Sequence, residues 1–242
     1  MFKYEIHLHS AGTSACGVSD STEYIKIAKE KGFAGMVFTN HFYRGNTAID
    51  RTLPWRDFVR HYENDWLCAK ELGDKYDIDV LFGLEEGYGG GKECLIYGLS
   101  PETIADCGEF PRMTIAEISA FVRKNGGLIA CAHPFRARYY IKNPDAEPCA
   151  TLFDAIEVYN FGNSREDNIK AEAFAKKTGL IMLSGGDVHH TDSFGNAGII
   201  LPERAKNEKD FVRLVKSGNV GLIRNIEAGN FGENLQNPAY RE

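Results

Sequence analysis

The sequence predicts an α/β fold closed into a barrel, and three observations predict it. Strand-like and helix-like patterns alternate from one end to the other, which favours a mainly parallel sheet, and six or more such units favour a barrel over an open sheet. With 242 residues, 43% of them hydrophobic, the chain can bury a full core as one domain, expected to span 1–242 with a polar tail from about 228. Residues able to carry chemistry gather at the C-terminal ends of the strands, the rim where barrel enzymes work.

Each element has its own local reason. EIHLHS (5–10) reads as a strand, followed by Ser19 and Asp20 as cap candidates and a helix to about Lys31, stopped by Gly32. AGMVFTNH is a second strand. After the polar loop RGNTAIDRTLP, a helical pattern runs from about Trp55 to Tyr76, and IDVLFGLEE returns as a strand. The turn GYGGGK joins it to ECLIYGL, the second arm of a hairpin. It lacks the Ser/Thr and the strand-to-helix setting of a P-loop. A helix over 114–125 ends at Gly126 and Gly127 and leads into the strand LIACAH. A loop rich in Arg, Tyr and Pro (135–149) precedes the strand DAIEVYN and a helix over 164–178. LIMLSGGD, the short GIIL, a helix over 207–217 and the strand NVGLIR complete the pattern.

Composition excludes several classes. The 28 basic and 34 acidic residues give a net charge of −6, which disfavours a grip on duplex nucleic acid. No apolar stretch is long enough for a membrane span, and the N-terminal MFKYEIHLHS has no signal-peptide pattern, so a cytoplasmic location is expected. The six cysteines are scattered without CxxC spacing, as in a reduced protein.

Six of the seven histidines fall in clusters at strand ends: His7 and His9, His41, His133, and His189 with His190 beside Asp187; His61 lies elsewhere. Residues two apart on a strand project to the same side, so His7 and His9 face one site, and Asp187 and His189 repeat the spacing. Any one cluster could be a hydrogen-bonded histidine at a strand end. Joint occurrence at equivalent strand ends points instead to imidazoles and carboxylates converging on divalent cations, zinc, manganese or iron.

In this order the motifs are specific. The opening HxH-x-x-x-x-S (His7, His9, Ser14), T-x-H (His41), G-x-E (Gly83, Glu85), HP (His133, Pro134) and closing G-x-D-x-H (Gly185, Asp187, His189) resemble the PHP family, the polymerase and histidinol phosphatase group of metal-dependent phosphoesterases, over nearly the whole chain. The resemblance implies a distorted (β/α)7 barrel with two or three metals at the C-terminal rim of the strands. It implies that His7, His9, Glu85 and Asp187 enclose one metal, that Glu85 bridges to a second held also by His133, and that His41 and His189 serve a third. Glu86 is the competitor to Glu85, and the G-x-E spacing favours Glu85. Asp187 and His189 are the candidate catalytic pair.

Three positions depart from the family pattern. Cys16 stands where many relatives have Asp, and Cys94 where a His often opens the strand after the Gly-rich turn. Thiolates could ligate at either place, or the ligands could be lost and the site dinuclear. Cys94 is taken here as a ligand and Cys16 is left open. Asn40 replaces a frequent Asp and is expected to change hydrogen bonding around the ligands.

Clustered cations activate water and neutralise phosphoryl charge, so no protein nucleophile is required. Arg136, Arg165 and Asn160 are the substrate-contact candidates, since guanidinium matches phosphate bidentately; salt bridges are the competing role for both arginines. Arg138, Tyr139, Tyr140 and Lys142 make the 135–149 loop a candidate lid with stacking surface. The leading expectation is a phosphatase for a small phosphorylated substrate such as a nucleotide, a sugar phosphate or histidinol phosphate. The alternatives are a polymerase-associated editing nuclease and a non-catalytic binding protein. The sequence assigns no oligomeric state.

Overall fold

The computed structural model describes residues 1–226, and the tail expected from about 228 lies outside the described residues. Nine strands form one sheet: β1 (Phe2–Glu5), β2 (Gly35–Phe38), β3 (Asp79–Gly89), β4 (Lys92–Tyr97), β5 (Leu128–Cys131), β6 (Ala155–Asn160), β7 (Ile181–Gly185), β8 (Ala197–Leu201) and β9 (Gly221–Arg224). Their order is β7-β6-β5-β4-β3-β2-β1-β8-β9. β1 to β3 pair in parallel, as do β5 to β7, whereas β4 is antiparallel to both its neighbours and β8 is antiparallel to β1 and β9. The sequence pattern anticipated the β3–β4 hairpin, whose turn uses Gly90 and Gly91 at φ 64° and 78°.

The sheet curls until its ends nearly meet. The Val188 amide donates to the His7 carbonyl at 3.1 Å, the His9 amide donates to the Val188 carbonyl at 2.8 Å, and Ser184 Oγ donates to the Ile223 carbonyl at 2.6 Å. The result is a barrel-like mixed sheet of nine strands rather than a plain seven-fold repeat of strand and helix.

Among the described residues six α-helices surround it: α1 (Glu23–Glu30), α2 (Trp55–Tyr76), α3 (Pro101–Ala105), α4 (Ile115–Lys124), α5 (Arg165–Thr178) and α6 (Glu208–Lys216). Local chemistry fixes several ends. Thr114 and Glu117 form a reciprocal capping box at α4, Ser164 caps α5, and Gly179 closes α5 at φ 74°. At α1 the cap residue is Thr22 without a side-chain bond, not Ser19 or Asp20; Glu23 instead turns back to accept from the Asp20 amide at 2.9 Å.

Alternate residues of the strands enter two different cores, as a pleated sheet requires. Phe82, Leu84, Cys94, Ile96, Ile129, Cys131, Ile156 and Val158 pack outward against α2, α4 and α5. Tyr4, Val37, Leu81, Leu95, Tyr97, Leu128, Ala130, Ala155 and Leu183 pack on the other face, where Phe211 of α6 rings against Tyr4 and Tyr97 at 6.3 and 5.3 Å.

The first strand differs from its expected span of 5–10. It ends at Glu5, because the Glu5 carboxylate accepts the Ile6 and His7 amides at 3.0 and 3.1 Å and so takes these donors away from a ladder. Pairing resumes at Leu8, bridged to Val188.

Candidate metal centre

Seven side chains singled out by the motifs come together where β1, β2, β3, β5 and β7 run out. His7 Nε2 lies 3.2 Å from Glu85 Oε1 and 3.5 Å from Asp187 Oδ1. His9 Nε2 lies 3.2 Å from Asp187 Oδ1 and 3.4 Å from Glu85 Oε2. His41 Nδ1 approaches Glu85 Oε2 at 2.9 Å, and His133 Nε2 approaches Glu85 Oε1 at 3.0 Å. Glu85 thus stands between four imidazoles. His189 stacks on His9 with centroids 4.4 Å apart.

The backbone is bent to achieve this. His133 and Asp187 have φ of 26° and 51°, values that cost a residue with a Cβ and that cluster at functional sites. Gly185 and Gly186, which precede Asp187, admit no side chain: a Cβ at Gly185 would sit 2.1 Å from Glu157 Oε1, and one at Gly186 would sit 2.5 Å from Glu5 Oε2. The glycine of the G-x-D motif is therefore a requirement of close approach.

Several groups at the site were not anticipated. Glu93 faces the cluster, 3.3 Å from His41 Nδ1 and 3.6 Å from His133 Nε2. Glu157, buried, accepts from His7 Nδ1 at 2.9 Å, from the His133 amide at 3.0 Å and from Asn160 Nδ2 at 3.0 Å. Both glutamates share the strand face of Leu95 or Ala155, so the alternation along β4 and β6 was the signal that could have found them.

Cys94 is a correction. Being next to Glu93, it projects to the opposite side, packs in the outer core, and donates its thiol to the Glu86 carbonyl at 3.5 Å. Burial pushes that thiol well above its ordinary range, the reverse of what a metal-binding thiolate needs. The structure puts Glu93 where the sequence suggested Cys94. Glu86 likewise points away from the cluster and pairs with Arg44 Nε at 2.5 Å.

Cys16 does reach the site, with Sγ 3.2 Å from His189 Nε2. Arg136 and Asn160 also arrive: Arg136 Nη2 donates to Asp187 Oδ2 and to Asn160 Oδ1, the latter at 2.9 Å, while Nε donates to Asn163 Oδ1 at 2.8 Å. Arg165 does not. It is exposed at the start of α5. His190 pairs with Asp192 at 3.2 Å on the surface, outside the cluster. Asn40 acts around the ligands as expected, accepting from the Ser10 amide at 2.7 Å and from Ser14 Oγ at 2.9 Å; Ser14 Oγ in turn meets His9 Nδ1 at 3.1 Å.

Charge is balanced by proximity. Burial works to raise the Glu85 carboxyl, but His7, His41 and His133 hold it well below its ordinary range. Burial has the same effect on Asp187, and Arg136 and His7 overcome it. Burial disfavours protonation of His7, yet Glu157, Asp187 and Glu85 raise it well above its usual value. These carboxylates are ready to face cations, and a bound cation would take the place of the imidazole protons.

The residues fit divalent metal ions. His7 Nε2, His9 Nε2, His41 Nδ1 and Glu85 Oε2 are buried polar atoms with no hydrogen-bond partner. Native interiors rarely leave such atoms unpaired, and here they are lone-pair donors aimed at one another. The ring nitrogens behind them are already fixed, His7 Nδ1 by Glu157 and His9 Nδ1 by Ser14, the usual arrangement for metal-binding histidines. Among the described residues, four overlapping sets have ligand atoms within 4.8 Å of one another: His7, His9 and Glu85; His7, His133 and Asp187; His41, Glu85 and Glu93; and His9, His41 and His189.

Fold and donor set together describe a barrel-like α/β protein with a buried cluster of candidate metal ligands. Residues 165–220 match the PHP-associated family. A two-domain protein from Bacteroides vulgatus containing a predicted PHP-like metal-dependent phosphoesterase superposes with a TM-score of 0.66 at 16% identity, over 92% of this chain and 64% of its own. This chain thus spans about two thirds of that protein's length. PsfC from Pseudomonas syringae gives a TM-score of 0.67 at 12% identity, over 100% of this chain and 99% of its own. An amidohydrolase from Chromobacterium violaceum with bound sulfate gives 0.59 at 16% identity, over 94% of this chain and 99% of its own. A comparison with curated proteins found no match. The family match is confined to residues 165–220, and the solved structures, at 16% identity or less, show a shared fold. Among the described residues no helix is long and apolar enough to cross a membrane.

Proposed function

We propose that this protein is a metal-dependent phosphoesterase acting on a small phosphomonoester. The observation that carries the reading is the double engagement of Asp187. Its Oδ1 faces His7 and His9 within the candidate ligand set, while its Oδ2 pairs with the buried guanidinium of Arg136. One carboxylate therefore joins the cation cluster to a fixed positive group suited to phosphate.

When bound, divalent ions supply an activated water and neutralise charge developing on the phosphoryl group. The chain's own part is positional. His7, His9, His41, Glu85, Glu93, His133, Asp187 and His189 would hold the ions. Arg136, held by Asn160 and Asn163, would turn toward an incoming phosphate oxygen and orient the ester. Low net charge density and a buried, confined cluster favour a small substrate over a duplex.

The test is a substrate panel with metal-reconstituted protein: mononucleotides, sugar phosphates, histidinol phosphate, single-stranded oligonucleotides and carboxamides. We expect turnover of phosphomonoesters, loss of activity in Asp187→Ala, and a fall of about 10²–10³-fold in kcat/KM for Arg136→Met with metal content retained. Preference for oligonucleotides would make the protein a nuclease, and cleavage of carboxamides alone would make it an amidohydrolase. Inactivity on every phosphoester at full metal loading would reject the phosphoesterase reading.

A further inference from the structure

Cys16 lies in the loop between β1 and α1, and the proposed phosphoester chemistry makes no use of it. The loop is pinned on three sides. The Ala15 amide donates to the Asn46 carbonyl at 2.9 Å, the Gly17 amide to the Ser14 carbonyl at 3.0 Å, and the Val18 amide to the His189 carbonyl at 2.9 Å. These bonds hold Sγ 3.2 Å from His189 Nε2, and the His41 ring is the thiol's second imidazole partner. His9, His41 and His189 offer ring nitrogens within 4.8 Å of one another. A second observation points to a ligand in the same place: His9 is fully buried, its Nδ1 is engaged by Ser14, and its Nε2 has no hydrogen-bond partner.

The other cysteines are differently placed. Cys94 and Cys131 are buried in the outer core, Cys68 and Cys149 are exposed, and Cys107 is half-buried beside that core. We propose that Cys16 is a thiolate ligand which, with His41 and His189, completes a cation position beside the His7, His133 and Asp187 group. A sulfur donor makes that position selective for a borderline or soft ion, zinc or iron in preference to magnesium or calcium. Binding replaces the S–H bond by a sulfur–metal bond, and the proton passes to solvent water. The inference rests on the metal-dependent reading of the same cluster, and the experiment separates the two.

Full-length metal-free protein is loaded with cobalt(II) without oxygen, and its absorption spectrum and cobalt content are measured. The wild type is expected to show a near-ultraviolet thiolate-to-cobalt charge-transfer band. Cys16→Ser loses the band and about one cobalt per chain. Cys16→Asp recovers the cobalt without the band, and Cys94→Ala keeps both. As a check independent of any variant's folding, cobalt or zinc protects Cys16 of the wild type from iodoacetamide, read by peptide mass. Cobalt binding without the band and without protection overturns the proposal and leaves the metal-dependent reading standing. A band that persists in Cys16→Ser overturns it in favour of another thiol. A wild type that binds neither cobalt nor zinc overturns both readings.

Discussion

Glu157 stands behind the cluster and aims two candidate ligands, His7 through Nδ1 and His133 through its amide. Carboxylates behind metal-bound imidazoles fix the tautomer and raise ligand basicity. Glu157→Ala is expected to lower metal affinity by about 10–100-fold, measured by competition with a chromophoric chelator. Unchanged affinity would mean that the ring of His7 is held by packing alone. Seven of the candidate ligands were legible because imidazole and acid side chains at strand ends, repeated at matching positions, have few other reasons to exist. Glu93 and Glu157 were not, since a glutamate within a strand reads as a solvent-facing residue until the curvature of the sheet is known. Cys94 was misread by one residue, and on a pleated strand one residue is a change of face.

At the scale of elements, the β3–β4 hairpin does more than return the chain. Lys92 at its tip donates through Nζ to the carbonyls of Pro134, Pro144 and Ala146 at 2.6, 3.2 and 3.4 Å, and its Gly90 carbonyl accepts from the Lys142 amide at 3.0 Å. Ion pairs Asp145–Lys170 and Glu147–Lys177, at 2.6 and 2.9 Å, fasten the far side of the same loop to α5. The exposed pairs contribute little, whereas a charged donor to several carbonyls is worth about 2 kcal/mol. Lys92→Met should therefore speed amide hydrogen exchange across residues 135–149 while leaving the strands protected. Equal protection in the variant would assign the loop's order to α5 instead. Helices α2 and α5 were readable from their helical patterns. The break after Glu5 was not, because it depends on a side chain capturing its own neighbours' amides, a bond that no pattern of apolar residues records.

For the whole molecule, ions bound only by the folded state add stability by mass action, about 2.7 kcal/mol at a free concentration 100 times Kd. For a chain of this length that corresponds to a Tm higher by about 5–10 °C. Chelation should remove this increment, and calorimetry with and without excess chelator measures it; identical melting curves would place the cluster outside the stability of the fold. The barrel itself was foreseeable from the alternation of strands and helices. The strands themselves were read from the sequence, but the place of β8 and β9 beside β1 was not, since it is a matter of long-range pairing.

The junction at Val188 gives the architecture one more implication. Its two backbone bonds reach the main chain of His7 and His9, and the residues on either side of it are Asp187 and His189. The last stitch that draws the sheet into a ring is thus sewn between the very groups that grip the ions. An ion gripped by Asp187 together with His7 or His9 would therefore tie the same seam a second time, through side chains.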